Sequence, residues 1–144
     1  MSGENCELCA SSGGTVLWAG SGCRVVRIAD PYYPGFCRIV WNEHVREMTD
    51  LPANRRAMLM DVVFAVERAV RDLFFPDKVN LASFGNMTPH LHWHVIPRWR
   101  DDRHFPEPVW GSTRREGTVA RPDVSDEALR LTLHQLLSAA RQEG

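Results

Sequence analysis

Short apolar runs separated by turn residues occupy the N-terminal part of the chain. Residues 15–19, 23–29 and 36–41 are rich in Val, Ile and Trp, which are typical of strands. A Gly-Ser-Gly turn separates the first two runs, and Pro and Gly residues bracket a loop before the third. The pattern therefore predicts a hairpin followed by a third strand.

The spacing of apolar residues becomes helical after Asp50 and Pro52, which both favour a helix start. One stripe then recurs at intervals of three and four residues, and its members are Leu59, Val62, Val63, Val66, Val70 and Leu73. Pro76 and Asp77 end the pattern. One long helix is predicted between these signals.

The second half of the chain predicts two more strands, a loop and a helix. Residues 78–84 are strand-like, and residues 90–96 alternate as a strand until Pro97 stops it. Residues 98–124 are interrupted by Pro and Gly, and we expect a long loop that covers part of the molecule. Ser125 is placed to cap a final helix over residues 125–142.

Strands outnumber helices and are joined by short turns, which favours an α+β fold. We expect a mostly antiparallel five-stranded sheet with one long helix and a C-terminal helix. The 144 residues correspond to a single domain, 1–144. One helix on such a sheet leaves apolar surface that a second copy could cover, so a homodimer is also expected.

Composition limits the classes of function. Hydrophobic residues make up 44% and charged residues 24%, as in a globular chain and unlike a disordered or fibrous one. The net charge of -1 gives no basic surface for duplex nucleic acid. The apolar runs are too short to span a bilayer, and the N-terminus does not resemble a secretory signal, so we expect no membrane partner and a cytoplasmic location.

Three histidines, His90, His92 and His94, occupy alternate positions of the last predicted strand, so their side chains should share one face. Three interpretations are open. The row could be the solvated face of an edge strand, or a three-His metal site, since neutral imidazole is a common metal ligand. It could also serve nucleophilic catalysis, because a neutral imidazole attacks phosphorus and its neighbours can bind the anion.

The row matches the His-φ-His-φ-His-φ-φ signature of the histidine triad (HIT) superfamily, with Leu91, Trp93, Val95 and Ile96 at the apolar positions. Residues 36–45, an apolar strand running into a loop histidine, resemble the family's second block. Within the superfamily the chain is most similar to bacterial diadenosine-tetraphosphate-hydrolase-type proteins. The resemblance covers roughly residues 6–100 and implies a HIT-like fold.

The resemblance implies a nucleotide hydrolase or nucleotidyl transferase acting at the α-phosphorus of a nucleoside 5′-phosphate derivative. A histidine at position 94 favours hydrolysis, with a dinucleoside polyphosphate or a nucleoside phosphoramidate as substrate. His92 matches the family's nucleophile, and a nucleotidyl-histidine intermediate follows. His94 matches the histidine that contacts phosphate and the leaving group, while His90 either supports the nucleophile or binds zinc. Catalysis would need no cofactor. The alternatives are a nucleotide-binding module without turnover and a three-His metal-dependent enzyme.

The resemblance also suggests substrate contacts. Asn86 matches a polar residue that holds phosphate, and Asp30 matches an acidic residue that binds ribose hydroxyls. Thr88 stands where relatives carry a Gly-rich stretch with Gln or Ser, which is much shorter here. Arg98, with Arg100, could meet a polyphosphate or form a solvated rim.

Cys6 and Cys9 have the spacing of half a zinc site. Several HIT relatives complete such a pair with a histidine after the second block and the first triad histidine, which here are His44 and His90. The resemblance thus implies a structural zinc beside the triad. Free thiols and a redox pair are the other interpretations.

Two tryptophans, Trp99 and Trp110, fall in the long loop. They could stack on a base or close over the triad, or they could pack the loop onto the sheet.

Overall fold

The computed structural model describes residues 5–143, and side chains as far as residue 139. The ends of the predicted 1–144 domain, residues 1–4 and 144, lie outside the described residues. The elements in chain order are α1 (Glu7–Ala10), β1 (Thr15–Ala19), β2 (Cys23–Arg27), β3 (Cys37–Trp41), a 3-10 turn (Met48–Asp50), α2 (Ala53–Phe74), β4 (Lys78–Ala82), β5 (His92–Arg98) and α3 (Asp126–Glu143).

The five strands form one antiparallel sheet in the order β1-β2-β3-β5-β4. The first three strands follow one another as a meander. The chain then crosses the sheet as α2, adds β4 at the far edge, and returns as β5 between β3 and β4. The α+β class and the mostly antiparallel five-stranded sheet are therefore confirmed.

The two long helices cover one face of the sheet. The predicted apolar stripe of α2 forms much of the core, and Leu59, Val63 and Val70 have no solvent exposure. The α3 helix begins at a cap in which the Ser125 hydroxyl accepts the Ala128 N–H at 3.1 Å. Its Leu133 is also fully buried. Among the described residues, no helix is both long and apolar enough to cross a membrane.

The strand that carries the histidines differs from its predicted bounds. It begins at His92, with His90 in the bend before it, and it continues through Pro97 to Arg98 instead of ending at Ile96. Pro97 pairs with Val79 of β4, beyond the last pairing of β5 with β3. The proline is tolerated because a strand flanks it on one side only.

The second face of the sheet carries the polar chemistry. In the pairing of β3 with β5, Val40 lies opposite His92 and Arg38 lies opposite His94, and paired residues share a face. Val40 belongs to a small cluster with Leu8 of α1 and Val26, which is separate from the main core under the helices. A small apolar cluster that includes Leu8 near the N-terminus therefore lies on the same face as His92.

Residues 99–125 contain no helix or strand, whereas Arg98, the first residue of the predicted loop, belongs to β5. A buried ion pair between Arg98 and Asp102 holds the start of this segment. Arg98 donates from Nε to the carboxylate of Asp102 at 2.8 Å. Its Nη1 donates to the side-chain oxygen of Asn80, and its Nη2 donates to the carbonyl of Glu107. The carboxylate of Asp102 also accepts the Tyr33 hydroxyl at 3.0 Å. Through Arg98 and Asp102, these bonds tie the loop to β4, to β5 and to the segment between β2 and β3. The homodimer expected from the sequence stays a prediction.

Candidate functional site

A cleft of about 430 Å3 opens on the second face of the sheet. Its lining comes from β3 and β5, from the turn after β4 and from the long loop. The residues that line it are Arg38, Phe84, Gly85, Asn86, Met87, Thr88, His92, His94 and Trp110. No carboxylate is among these lining residues, so the cleft suits an anion.

His92 is held with one ring nitrogen in a hydrogen bond. Its Nδ1 lies 2.6 Å from the carbonyl oxygen of His90. A carbonyl can only accept, so Nδ1 carries the proton and Nε2 carries the lone pair. Burial lowers the pKa of His92, and the positive charge of Arg38 lowers it further. The ring is therefore neutral near pH 7, as a nucleophile must be.

His94 lies beside His92 under a cover of aromatic rings. The two imidazole centroids are 4.9 Å apart, and the indole of Trp110 is also 4.9 Å from the His94 ring. Burial, with the neighbouring His92 and Arg38, lowers the pKa of His94 to about 3. Its Nδ1 is buried without a hydrogen-bond partner among the described residues.

His90 points away from the cleft toward the N-terminal cysteines. Its Nε2 faces the carbonyl oxygen of Trp41 at 2.5 Å, which places the proton there and the lone pair on Nδ1. That Nδ1 lies 3.3 Å from Sγ of Cys6 and 3.4 Å from Sγ of Cys9. The Nδ1 of His44 lies 3.3 Å from the same Cys9 sulfur.

These four residues, Cys6, Cys9, His44 and His90, place one ligand atom each within 4.8 Å of the others. Tetrahedral zinc with usual bond lengths would put a sulfur and a nitrogen ligand about 3.5 Å apart. The observed sulfur–nitrogen distances are close to that value. The hydrogen bond from His90 to a carbonyl is also the usual support of a ligating imidazole. The donor set therefore fits a Cys2His2 metal site.

The residues expected to contact substrate fall into two groups. Asn86 and Thr88 line the cleft. Asp30 lines a different cleft beside Arg27, and its carboxylate accepts the backbone N–H of Tyr32.

Arg98 does not line the histidine cleft either. It is 2% exposed, and its guanidinium donates four hydrogen bonds, to Asp102, Asn80 and Glu107. The structure therefore gives Arg98 a structural position instead of a solvent-facing one, and the polyphosphate contact suggested for it is not supported. Arg100, its suggested companion, is exposed.

Sequence reasoning missed Arg38 and the aromatic wall. Arg38 stands in a run of apolar residues in β3, and only the register with His94 reveals that it shares the histidine face. An arginine within a buried strand was the one available signal. Of the two loop tryptophans, Trp99 packs into the core, whereas Trp110 lies over His94 and touches Phe84.

Comparisons with known proteins agree with this geometry. The family model described as the HIT domain matches residues 13–101, which is more than half of the chain. A curated relative from Mycobacterium tuberculosis named AP-4-A phosphorylase is 32% identical over 88 residues. That match covers 57% of this chain and 45% of the relative, so the chain spans less than half the length of that protein.

Solved structures share the fold. A histidine triad protein from Bradyrhizobium japonicum aligns with a TM-score of 0.71 and 28% identity, covering 85% of this chain and 92% of its own. A zinc-bound histidine triad family protein from Mycobacterium smegmatis aligns with a TM-score of 0.65 over 96% of this chain and 99% of its own. Its identity is 23%, so this second likeness concerns the fold alone.

Proposed function

This chain belongs to the HIT domain family, and we propose that it is a nucleotide hydrolase that cleaves a nucleoside 5′-phosphate derivative at the α-phosphorus. The observation that carries this proposal is the hydrogen bond from His92 Nδ1 to the carbonyl of His90. It leaves Nε2 unprotonated on a residue that lines an anion-suited cleft. Dinucleoside polyphosphates and nucleoside phosphoramidates are the proposed substrates.

In the first step, the Nε2 lone pair of His92 forms a bond to phosphorus. The bond from phosphorus to the leaving oxygen or nitrogen breaks, and the leaving group takes its electron pair. The imidazole in the adduct becomes positively charged, and the carbonyl of His90 stabilises its Nδ1–H. Water then attacks phosphorus, the phosphorus–nitrogen bond breaks, and His92 recovers its lone pair while the water proton passes to solvent.

His94 is proposed to hydrogen-bond the phosphoryl or the leaving group, since its ring lies directly beside that of His92. A polyphosphate leaves as an anion and needs no proton, whereas an amine must gain one, which it takes from solvent because the lowered pKa keeps His94 neutral. Asn86 and Thr88, in the turn after β4, offer an amide and a hydroxyl to the cleft. The rings of Phe84 and Trp110, 5.1 Å apart at their centroids, form an apolar side of the cleft.

Phosphorolysis is the second candidate, because a relative is named AP-4-A phosphorylase. The first step would be the same, and inorganic phosphate would replace water in the second. The products separate the two: hydrolysis of diadenosine tetraphosphate gives AMP and ATP, while phosphorolysis gives ADP and ATP. A binding module without turnover, the third possibility, would give neither.

A structural zinc is proposed at Cys6, Cys9, His44 and His90. When bound there, the metal would fix the N-terminal segment to the strand that carries the nucleophile, and it would supply no reacting group. His90 is central to this support because its ring would ligate the metal while its carbonyl holds His92. We also propose that the protein binds a nucleotide substrate and does not bind duplex nucleic acid. It is further proposed to form a homodimer and to be located in the cytoplasm.

The test is turnover of diadenosine tetraphosphate and of adenosine phosphoramidate, with and without phosphate, by the wild type and by His92→Ala. We expect His92→Ala to lose at least about a thousandfold in rate, since the variant lacks the nucleophile. His134→Ala, which removes an exposed imidazole on α3, is the matched control. Equal product release by wild type and His92→Ala would refute the covalent mechanism.

A further inference from the structure

Arg38 lies in the histidine cleft with no partner that accounts for its burial. Its Nε is buried and has no hydrogen-bond acceptor among the described residues. Among the described residues, no carboxylate lies within 4.0 Å of the Arg38 guanidinium. The more distant negative charge of Glu7 only partly offsets the lowering of the Arg38 pKa by burial. An unsatisfied buried guanidinium N–H is unfavourable, so the absent acceptor calls for an explanation.

The position of Arg38 is defined by the strand register. It lies directly opposite His94 across the β3–β5 pairing, and it lines the same cleft as His92. Its positive charge lowers the pKa of both imidazoles, as expected of a cation close to the two rings. The guanidinium therefore lies beside the histidine that would attack and beside the one that would contact the leaving group.

We propose that Arg38 binds the non-bridging oxygens of the phosphoryl group that His92 attacks. The inference deepens the proposed function and rests on it for the reaction, but phosphate binding itself is independent of turnover. A guanidinium presents paired N–H donors that match two phosphoryl oxygens. Negative charge on these oxygens grows as the fifth bond to phosphorus forms, so the same contact stabilises the transition state.

Among the residues that line the cleft, Arg38 is the main candidate to bind a phosphate. The turn after β4 supplies few other donors, since only Asn86 and Thr88 in it carry polar side chains that line the cleft. Arg38 is consequently the one full positive charge among the lining residues.

The experiment compares the affinity of AMP and of adenosine for wild type, Arg38→Met and Arg38→Lys by calorimetry. We expect Arg38→Met to weaken AMP about tenfold or more, the size of one lost charge-assisted hydrogen bond, and to leave adenosine within about twofold. Arg38→Lys should recover part of the loss because the charge is kept. Arg68→Met is the control, since Arg68 is exposed on α2 and, among the described residues, forms an ion pair with Asp72 alone.

Arg38→Met binding AMP as tightly as wild type would overturn the inference, as would equal losses for AMP and adenosine, which indicate a packing role. If adenosine is too weak to measure, the AMP affinity arises from the phosphate and the AMP comparison decides alone. Should Arg38→Met fail to fold, Arg38→Gln, which also removes the charge, is judged by the same criterion. Failure of the hydrolase proposal leaves these binding results unchanged, so the two are distinguishable.

Discussion

Replacing Asp102 by Asn should loosen the long loop while leaving the shape of the side chain almost unchanged. The carboxylate is 1% exposed and accepts six hydrogen bonds. One oxygen takes the Nε of Arg98 and the backbone N–H of Trp99. In the Asn variant an NH2 group would replace one oxygen, and even in the better orientation two buried donors would lose their acceptor.

Each unsatisfied buried donor costs about 1–3 kcal/mol, and breaking a buried ion pair by removing one partner costs about 3–5 kcal/mol. We therefore expect Asp102→Asn to lower the free energy of unfolding by about 3–5 kcal/mol. For a chain of this size that corresponds to a fall of about 10–15 °C in Tm. Urea unfolding at pH 7.5, followed by tryptophan fluorescence and by circular dichroism, measures it.

The control is Asp101→Asn. That carboxylate is 56% exposed and pairs with Arg121 at 2.9 Å, so its loss should cost under about 1 kcal/mol. Equal effects of the two substitutions, or a loss below about 1 kcal/mol for Asp102→Asn, would refute the reasoning that the buried carboxylate anchors the loop.

The pH dependence gives a second measure of the same anchor. Burial alone would raise the pKa of Asp102, but hydrogen bonds from Arg98 and three backbone N–H groups lower it to about 2. An unfolded Asp has a pKa of about 3.9, so the charged form contributes about 2 kcal/mol above pH 4, by linkage. This contribution is lost as pH falls toward 2. The stability difference between wild type and Asp102→Asn should therefore narrow over that window.

Three further predictions concern the site. Purified protein should contain about one zinc per chain by elemental analysis, and Cys9→Ser should lower both zinc content and Tm; a metal-free protein of unchanged Tm would contradict the site. Because the pKa values of His92 and His94 are both lowered, kcat/KM should stay level as pH falls from 8 to the ordinary histidine pKa of about 6.5; a decline centred there would contradict the lowered values. Trp110→Ala should raise the pKa of His94 by exposing its ring, as followed by NMR titration, and an unchanged pKa would show that the indole does not contribute to its burial.

The sequence predicted most of the sheet because β-branched runs and turn residues mark strands locally. Residues 15–19 match β1 as predicted. The predicted end of β5 at Ile96 was wrong, because a proline normally ends a strand. Pro97 is tolerated here because β3 no longer pairs with β5 at that position. Such information is tertiary and cannot be read from the run itself.

The same distinction between local and tertiary information applies to the residues of the candidate site. The triad and the four proposed metal ligands were named from spacing and resemblance. The structure brings the four proposed ligands together and sets the rings of His92 and His94 side by side. The His90 ring faces the cysteines instead of the cleft, so the predicted shared face holds for two of the three histidines. Arg38 was missed because its face depends on register with β5, a contact between distant segments. Arg98 was misplaced because nothing local indicates that Asp102, four residues later, turns back to enclose it.

The two-sided use of His90 has a consequence for mutagenesis. Its imidazole faces the thiols, but what it offers His92 is a main-chain oxygen, which every amino acid possesses. A substitution such as His90→Ala removes the imidazole but keeps the main-chain carbonyl that accepts the hydrogen bond from His92. Impaired turnover in that variant would therefore report a displaced backbone and not a missing functional group, and normal turnover would show that the peptide framework alone keeps the nucleophile aligned.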